Sequence, residues 1–169
     1  MIDHLASIAA RAGATLKDRG QTVAVADGAT GGLISAGLLT VPGATAFYVG
    51  GGVIYSLKGR SVLLDLSDEE LAGMKSVTER YALLQARAIR DRFGADWGVA
   101  ESGSAGPGKH PYGIKAGLSC IAVVGPGAAI ASTVETNSDD RIDNMKAFAA
   151  AALSLLTDAL EELGESGGR

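Results

Sequence analysis

The chain has 169 residues, 47% of them hydrophobic and 20% charged, with a formal net charge of −4. That balance suits one globular domain with a real core and does not suit a disordered chain. The negative charge weighs against broad electrostatic binding to nucleic acid or anionic lipid, and no apolar run approaches the roughly 20 residues that a membrane span needs.

The opening run MIDHLASIAARAG carries an acid and no long apolar block, so it does not read as a signal peptide. Residues 2–18 place Ile2, Leu5, Ile8, Ala12 and Leu16 at helical spacing, with Lys17, Asp18 and Arg19 at the exposed end. Residues 21–27 read as a short buried strand. Gly31 to Leu39 reads as a helix stopped by Pro42-Gly43. The run FYVGGGVIY is β-branched and aromatic around a glycine triplet, which predicts a second strand with a bulge or a close backbone contact.

SDEE at 67–70 is a capping box, with Ser67 reaching forward and Glu70 reaching back. Residues 78–93 form an amphipathic helix whose buried side includes Tyr81, Leu84, Ala88 and Ile89. WGVAES follows as a strand, then the loop GSAGPGKHPYG. Two further runs, IKAGLSCIAVVG and AAIASTVET, join through Pro126-Gly127 and read as a hairpin. A last helix from about Asp139 to Leu163 buries Ile142, Met145, Phe148, Ala152, Leu156 and Leu160, and the tail 164–169 is expected to be loose.

The order α-β-α-β-α-α-β-β-β-α implies one domain over residues 1–163. Its expected form is a three-layer α/β/α fold with a mixed sheet and helices on both faces. Cys120 is the lone cysteine, so no internal disulfide forms, and its apolar run makes it a buried, inert thiol. With no sign of an oxidising compartment, the cytoplasm is the expected location.

Chemistry is sought first at VAVADGATGGLISAGLL, residues 23–39. A strand ending at Asp27 and a helix opening near Thr30-Gly31 predict free backbone N–H groups at the sheet edge, a setting that favours an anion. The same glycines also serve simply to pack helix on strand, and the spacing matches neither a Walker loop nor GxGxxG. His4 and His110 stand in a surface helix and a loop, and no Ser-His-Asp order is evident. No cluster has zinc spacing and TNSDD is too short for a calcium loop, so no metal and no cofactor is expected.

Taken with VPGATAFYVGGGVIYS (41–56), GADWGVAESGSAGP (94–107), HPYG (110–113) and DDR (139–141), the first stretch resembles the CinA C-terminal domain family. The resemblance runs in order from about residue 5 to 160. It implies a three-layer α/β/α fold, a pocket like that of nicotinamide mononucleotide amidohydrolases, and self-association into a homo-oligomer. The family motif A-E-S-C-T-G-G stands here as Ala26-Asp27-Gly28-Ala29-Thr30-Gly31-Gly32, so the position of the family's nucleophilic serine is Gly28. A second family motif pairs a tyrosine with a lysine five residues on; here the pair is Tyr55 and Arg60. An arginine stays protonated, which makes it a poor base and a good clamp for carboxylate or phosphate.

By this resemblance Tyr55 and Arg60 occupy the catalytic positions, and Thr30, Gly31, Gly32, Ser102, Gly106 and Arg141 the substrate-binding ones. Gly28 is expected to leave room for a ligand or water against the backbone. Ser56, Lys58, Ser104 and His110 lie nearby in sequence. The first expectation is a protein that binds a small anionic or nucleotide-like ligand, its amidohydrolase chemistry lost or altered. The alternatives are an active amidohydrolase with another nucleophile or an activated water, and a structural or protein-interaction subunit.

Overall fold

β1 (Val23–Asp27) runs between two parallel neighbours, β2 (Tyr48–Val53) and β3 (Trp97–Ser104). In the computed structural model, which describes residues 1–166 and side chains through Leu163, β4 (Leu118–Gly125) and β5 (Ala128–Glu135) extend the sheet antiparallel from β3. The strand order is β2-β1-β3-β4-β5, a mixed α/β sheet with β1 in its interior, as the apolar run predicts.

The pleat of each strand sorts its side chains onto two layers. Val23, Val25, Trp97, Val99, Ile121 and Val123 face a large core made with α1 (Ile2–Arg19), α2 (Leu33–Leu39) and α6 (Arg141–Ser166). Ala24, Ala26, Ala100 and Ala122 face the other layer, where α5 (Glu79–Phe93) lies. That face is small by necessity. A Cβ at Gly98 would stand 2.1 Å from the Ala86 carbonyl oxygen, so the α5 backbone lies directly on the sheet. The β2 triplet records another close approach, since a Gly51 Cβ would stand 2.1 Å from the Val25 carbonyl oxygen. The register also shifts between Val23 and Ala24, so both devices expected of FYVGGGVIY are present.

Local signals explain most boundaries. α1 ends at Gly20 and α5 at Gly94, both left-handed, where glycine carries no Cβ penalty. Thr78 caps α5 through the Tyr81 amide, and Ser67 with Glu70 closes the capping box of α4 (Asp68–Leu71). Four expectations need correction. α2 begins at Leu33, not Gly31, because Gly31 and Gly32 both have positive φ and form the turn before it. α3 (Leu57–Leu64) has weak apolar periodicity and was not expected; Ser56, which accepts the Gly59 amide at 3.0 Å, marks its start. On α5 the buried residues are Tyr81, Ala82, Gln85, Ala86 and Ile89, while Leu84 and Ala88 are half-buried, so the inward stripe is rotated from the expected one. Ile142, in the first turn of α6, is 57% exposed rather than buried. α6 continues to Ser166; of the expected tail, residues 167–169 lie outside the described residues.

No helix among the described residues is long and apolar enough to cross a membrane.

Candidate functional site

The connection from β1 to β2 passes through α2 on one face, and the return from β2 to β3 passes through α5 on the other. Chain connections therefore diverge at the C-terminal end of β1. Open α/β sheets bind ligands in the crevice that such a divergence leaves. A cleft of about 600 Å³ lies there. Gly28 and Ala29 contribute from the end of β1, Ile54 to Leu57 from the end of β2, and Ser102 to Gly106 from the end of β3. Arg60 of α3, Tyr81 and Gln85 of α5, Arg141 of α6 and the loop carrying Lys109, His110 and Tyr112 close the walls.

Of the residues expected from the sequence, Tyr55, Arg60, Ser102, Gly106, Arg141 and Gly28 meet in this cleft. Arg60 donates from Nη1 to the Tyr81 hydroxyl at 3.2 Å, and its guanidinium stands 5.9 Å from the centre of that ring. Arg141 donates to the Gly106 carbonyl at 2.6 Å and to the Tyr55 hydroxyl at 3.0 Å, tying three walls together. Tyr55 is otherwise open, 70% exposed. Ser102 Oγ accepts the Val77 amide at 3.0 Å. Ser56 and Ser104 also line the cleft, whereas Lys58 does not.

Thr30, Gly31 and Gly32 do not line it. Thr30 is fully buried, its hydroxyl donating to Asp27 Oδ1 at 2.7 Å. The free N–H groups expected at the start of α2 are not free. Asp27 accepts the Ile34 amide at 2.9 Å and the Ser35 amide and hydroxyl at 3.3 and 2.7 Å. Glu101 accepts the Gly28 and Thr30 amides at 3.1 and 3.0 Å, and the Gly31 amide goes to the Gly28 carbonyl. The carboxyl oxygens of Asp27 and Glu101 already hold the place an anion would take. A helix start with its donors spent in this way has little left for a ligand.

Nor does Gly28 leave room. A Cβ there would stand 2.2 Å from the main-chain oxygen of Glu101 and 3.1 Å from its Oε2. The glycine is where β3 crosses close to the turn. Glu101 itself is buried, and burial raises its pKa against hydrogen bonds from Ser119 and Thr30 that lower it. Sequence reading missed this group; a glutamate inside the strand run WGVAES was its available signal.

The electrostatics of the cleft are one-sided. Arg60, Lys109 and Arg141 line it, and among the described residues no aspartate or glutamate does. His110 lines it too rather than facing bulk solvent; partial burial lowers its pKa, and its Nδ1 accepts the Tyr112 amide at 3.2 Å. Tyr55, Tyr81 and Tyr112 add ring surface. Four serines, at 56, 76, 102 and 104, line the cleft, and among the described residues none has a histidine, lysine or carboxylate as its hydroxyl's hydrogen-bond partner. Cys120 lies away from the lining, buried, with its thiol pKa raised by burial, as its apolar run predicts. Among the described residues no group of three metal-ligating side chains is assembled.

A family model described as CinA C-terminal domain matches residues 5–160. The chain is 40% identical over 120 residues to a CinA-like protein of Prochlorococcus marinus (strain MIT 9313), a match covering 71% of this chain and 28% of that one. It is 39% identical over 139 residues to a CinA-like protein of Parasynechococcus marenigrum (strain WH8102), covering 82% and 32%. The match thus spans about a third or less of these relatives' own lengths. Among solved structures, a CinA superfamily protein from Enterobacter cloacae superposes with a TM-score of 0.84 at 31% identity, covering 92% of each chain. Another from Klebsiella pneumoniae 700603 gives 0.85 at 26% identity, covering 94% of this chain and 98% of that one.

Proposed function

The chain belongs to the CinA C-terminal domain family, and from that premise we propose that its cleft binds a small anionic, nucleotide-like ligand without the family's serine chemistry. One observation carries the reading: Arg60, Lys109 and Arg141 line a cleft that no carboxylate among the described residues lines, in a protein whose net charge is −4. Cations gathered against the overall charge favour an anion, and Arg presents a planar fork suited to phosphate or carboxylate. The three tyrosines offer faces and edges for a heterocycle.

Loss of amide hydrolysis is supported by position 28, where a side chain meets the β3 backbone, and by Arg60 at the place of the general base. A nucleophile needs a base within hydrogen-bond reach, and the four cleft serines have none as partner. Thermal shift with nicotinamide mononucleotide, other 5′-mononucleotides, inorganic phosphate and simple carboxylates tests the binding. Stabilisation by mononucleotides with no release of ammonia from nicotinamide mononucleotide is the expected result. Turnover at an ordinary enzymatic rate, about 1–10³ s⁻¹, restores the amidohydrolase alternative. No shift with any anion leaves a structural subunit.

A further inference from the structure

Among the described residues three that are not glycine hold a positive φ: Asp65, Val77 and Asn137. Aspartate and asparagine tolerate that region. A β-branched valine does not, because its Cβ crowds the neighbouring carbonyl. Val77, with φ 57° and 5% exposed, is therefore strained, and such strain persists only where the surroundings enforce it.

The enforcing contact is a single bond. The Val77 amide donates to Ser102 Oγ on β3 at 3.0 Å. Residues 73–77 link α4 to α5, and among the described residues this is their one hydrogen bond to the sheet. The other ties are local. The Met74 amide goes to the Leu71 carbonyl at 3.0 Å, and the Thr78 hydroxyl donates to the Lys75 carbonyl at 2.6 Å. Gly73, with φ 72°, is exposed and has open space where a Cβ would stand. Met74 and Ser76 nevertheless form part of the cleft wall, and the buried Ser76 Oγ has no partner to hold it there.

We propose that residues 73–77 are a gate in the cleft wall, held shut by the Ser102 hydroxyl and driven open by the strain at Val77. Returning Val77 to negative φ turns the peptide between Ser76 and Val77 about the Val77 N–Cα bond. That one rotation relieves the strain, swings the Val77 amide off Ser102 and carries Ser76 out of the wall. Gly73 and the Thr78 cap bound the moving piece. A segment with one bond to the sheet opens at lower free energy than the strand it is tied to. Ser102 is thus a positioning residue that controls entry whatever the cleft binds, and the gate does not depend on the anion reading.

A thiol at position 76 reports the opening. Ser76→Cys loses no hydrogen bond, and the buried Cys120 of the same chain reports any larger unfolding. Adding Ser102→Ala should speed labelling of position 76 by iodoacetamide tenfold or more and leave Cys120 labelling unchanged. In the Ser76→Cys background, Val77→Gly should label at least threefold more slowly than Val77→Ala. Both lose the valine side chain, but glycine adopts positive φ without penalty; at an ordinary backbone position glycine would gain more freedom on opening and label faster. The unsubstituted chain supplies a check that needs no variant to fold. Its Val77 amide should exchange with deuterium ahead of the β3 and α5 amides and without dependence on low urea, which marks local opening. Exchange of that amide only together with β3 overturns the gate. So does equal labelling with and without Ser102→Ala, acceleration of both thiols together, or Val77→Gly labelling as fast as Val77→Ala or faster.

Discussion

Glu101 meets Gly28 twice: its Oε2 accepts the glycine amide at 3.1 Å, and its main-chain oxygen stands 2.2 Å from where a Gly28 Cβ would be. Strand β3 and the turn after β1 close on each other at the position that the resemblance aligns with a family serine. The missing side chain and the buried glutamate are two parts of one packing arrangement.

Restoring the serine alone should therefore fail. Gly28→Ser forces the turn or β3 to shift, an overpacking cost of about 1–3 kcal/mol. Urea denaturation should show that loss, and the variant should release no ammonia from nicotinamide mononucleotide. Wild-type stability in this variant would contradict the close approach.

Glu101 makes stability depend on pH. Its pKa is raised by burial, so the folded state holds the proton more tightly than the unfolded chain does. Its contribution is therefore full below the unfolded value of about 4.3 and is lost as pH rises through the folded value. Glu101→Gln keeps an oxygen for the Gly28 and Thr30 amides and lets the Ser119 hydroxyl turn to the Ser102 carbonyl, 3.3 Å away. Its stability should be flatter with pH and equal to or above wild type at pH 7. Glu101→Ala should instead cost about 1–3 kcal/mol for each buried donor left without an acceptor. Denaturant midpoints between pH 4 and 8 check both.

Thr30 should behave as a structural residue. Thr30→Val removes the hydrogen bond to Asp27 Oδ1 and should cost about 1–3 kcal/mol, the range for a buried polar group that loses its partner. Mononucleotide affinity should stay within twofold, because the side chain is buried outside the cleft. A large loss of affinity at unchanged stability would return Thr30 to the binding set.

Arg60 and Lys58 sit two residues apart on α3, yet Arg60 lines the cleft and Lys58 does not. A mononucleotide at 100 times its dissociation constant stabilises the fold by about 2.7 kcal/mol. Arg60→Ala should remove most of that thermal shift and Lys58→Ala little of it. The shift should also shrink as salt rises, since the cleft is open to solvent on one side. Equal effects of the two substitutions would mean that general charge, not the cleft, attracts the ligand.

The layering of the fold was legible in the chain because it depends on periodicity. The apolar run at Val23 to Ala26, the helical spacing of Leu5 to Leu16 and the capping box at Ser67 are local, and local physics decided them. The hairpin through Pro126-Gly127 and the interior place of β1 followed for the same reason. The resemblance likewise located Tyr55, Arg60, Ser102, Gly106 and Arg141, and the fold brought them together. What sequence could not show is how each donor is spent. Gly28 reads as open space until β3 is laid across it, 73 residues away in the chain. The start of α2 reads as an anion site until Asp27 and Glu101 take its amides. Gln85 reads as one more polar residue on a helix until the rotation of α5 buries it. Periodicity reports which face a residue prefers. Hydrogen-bond satisfaction and steric closure depend on partners distant in sequence, so only the tertiary structure decided which groups remain for a ligand.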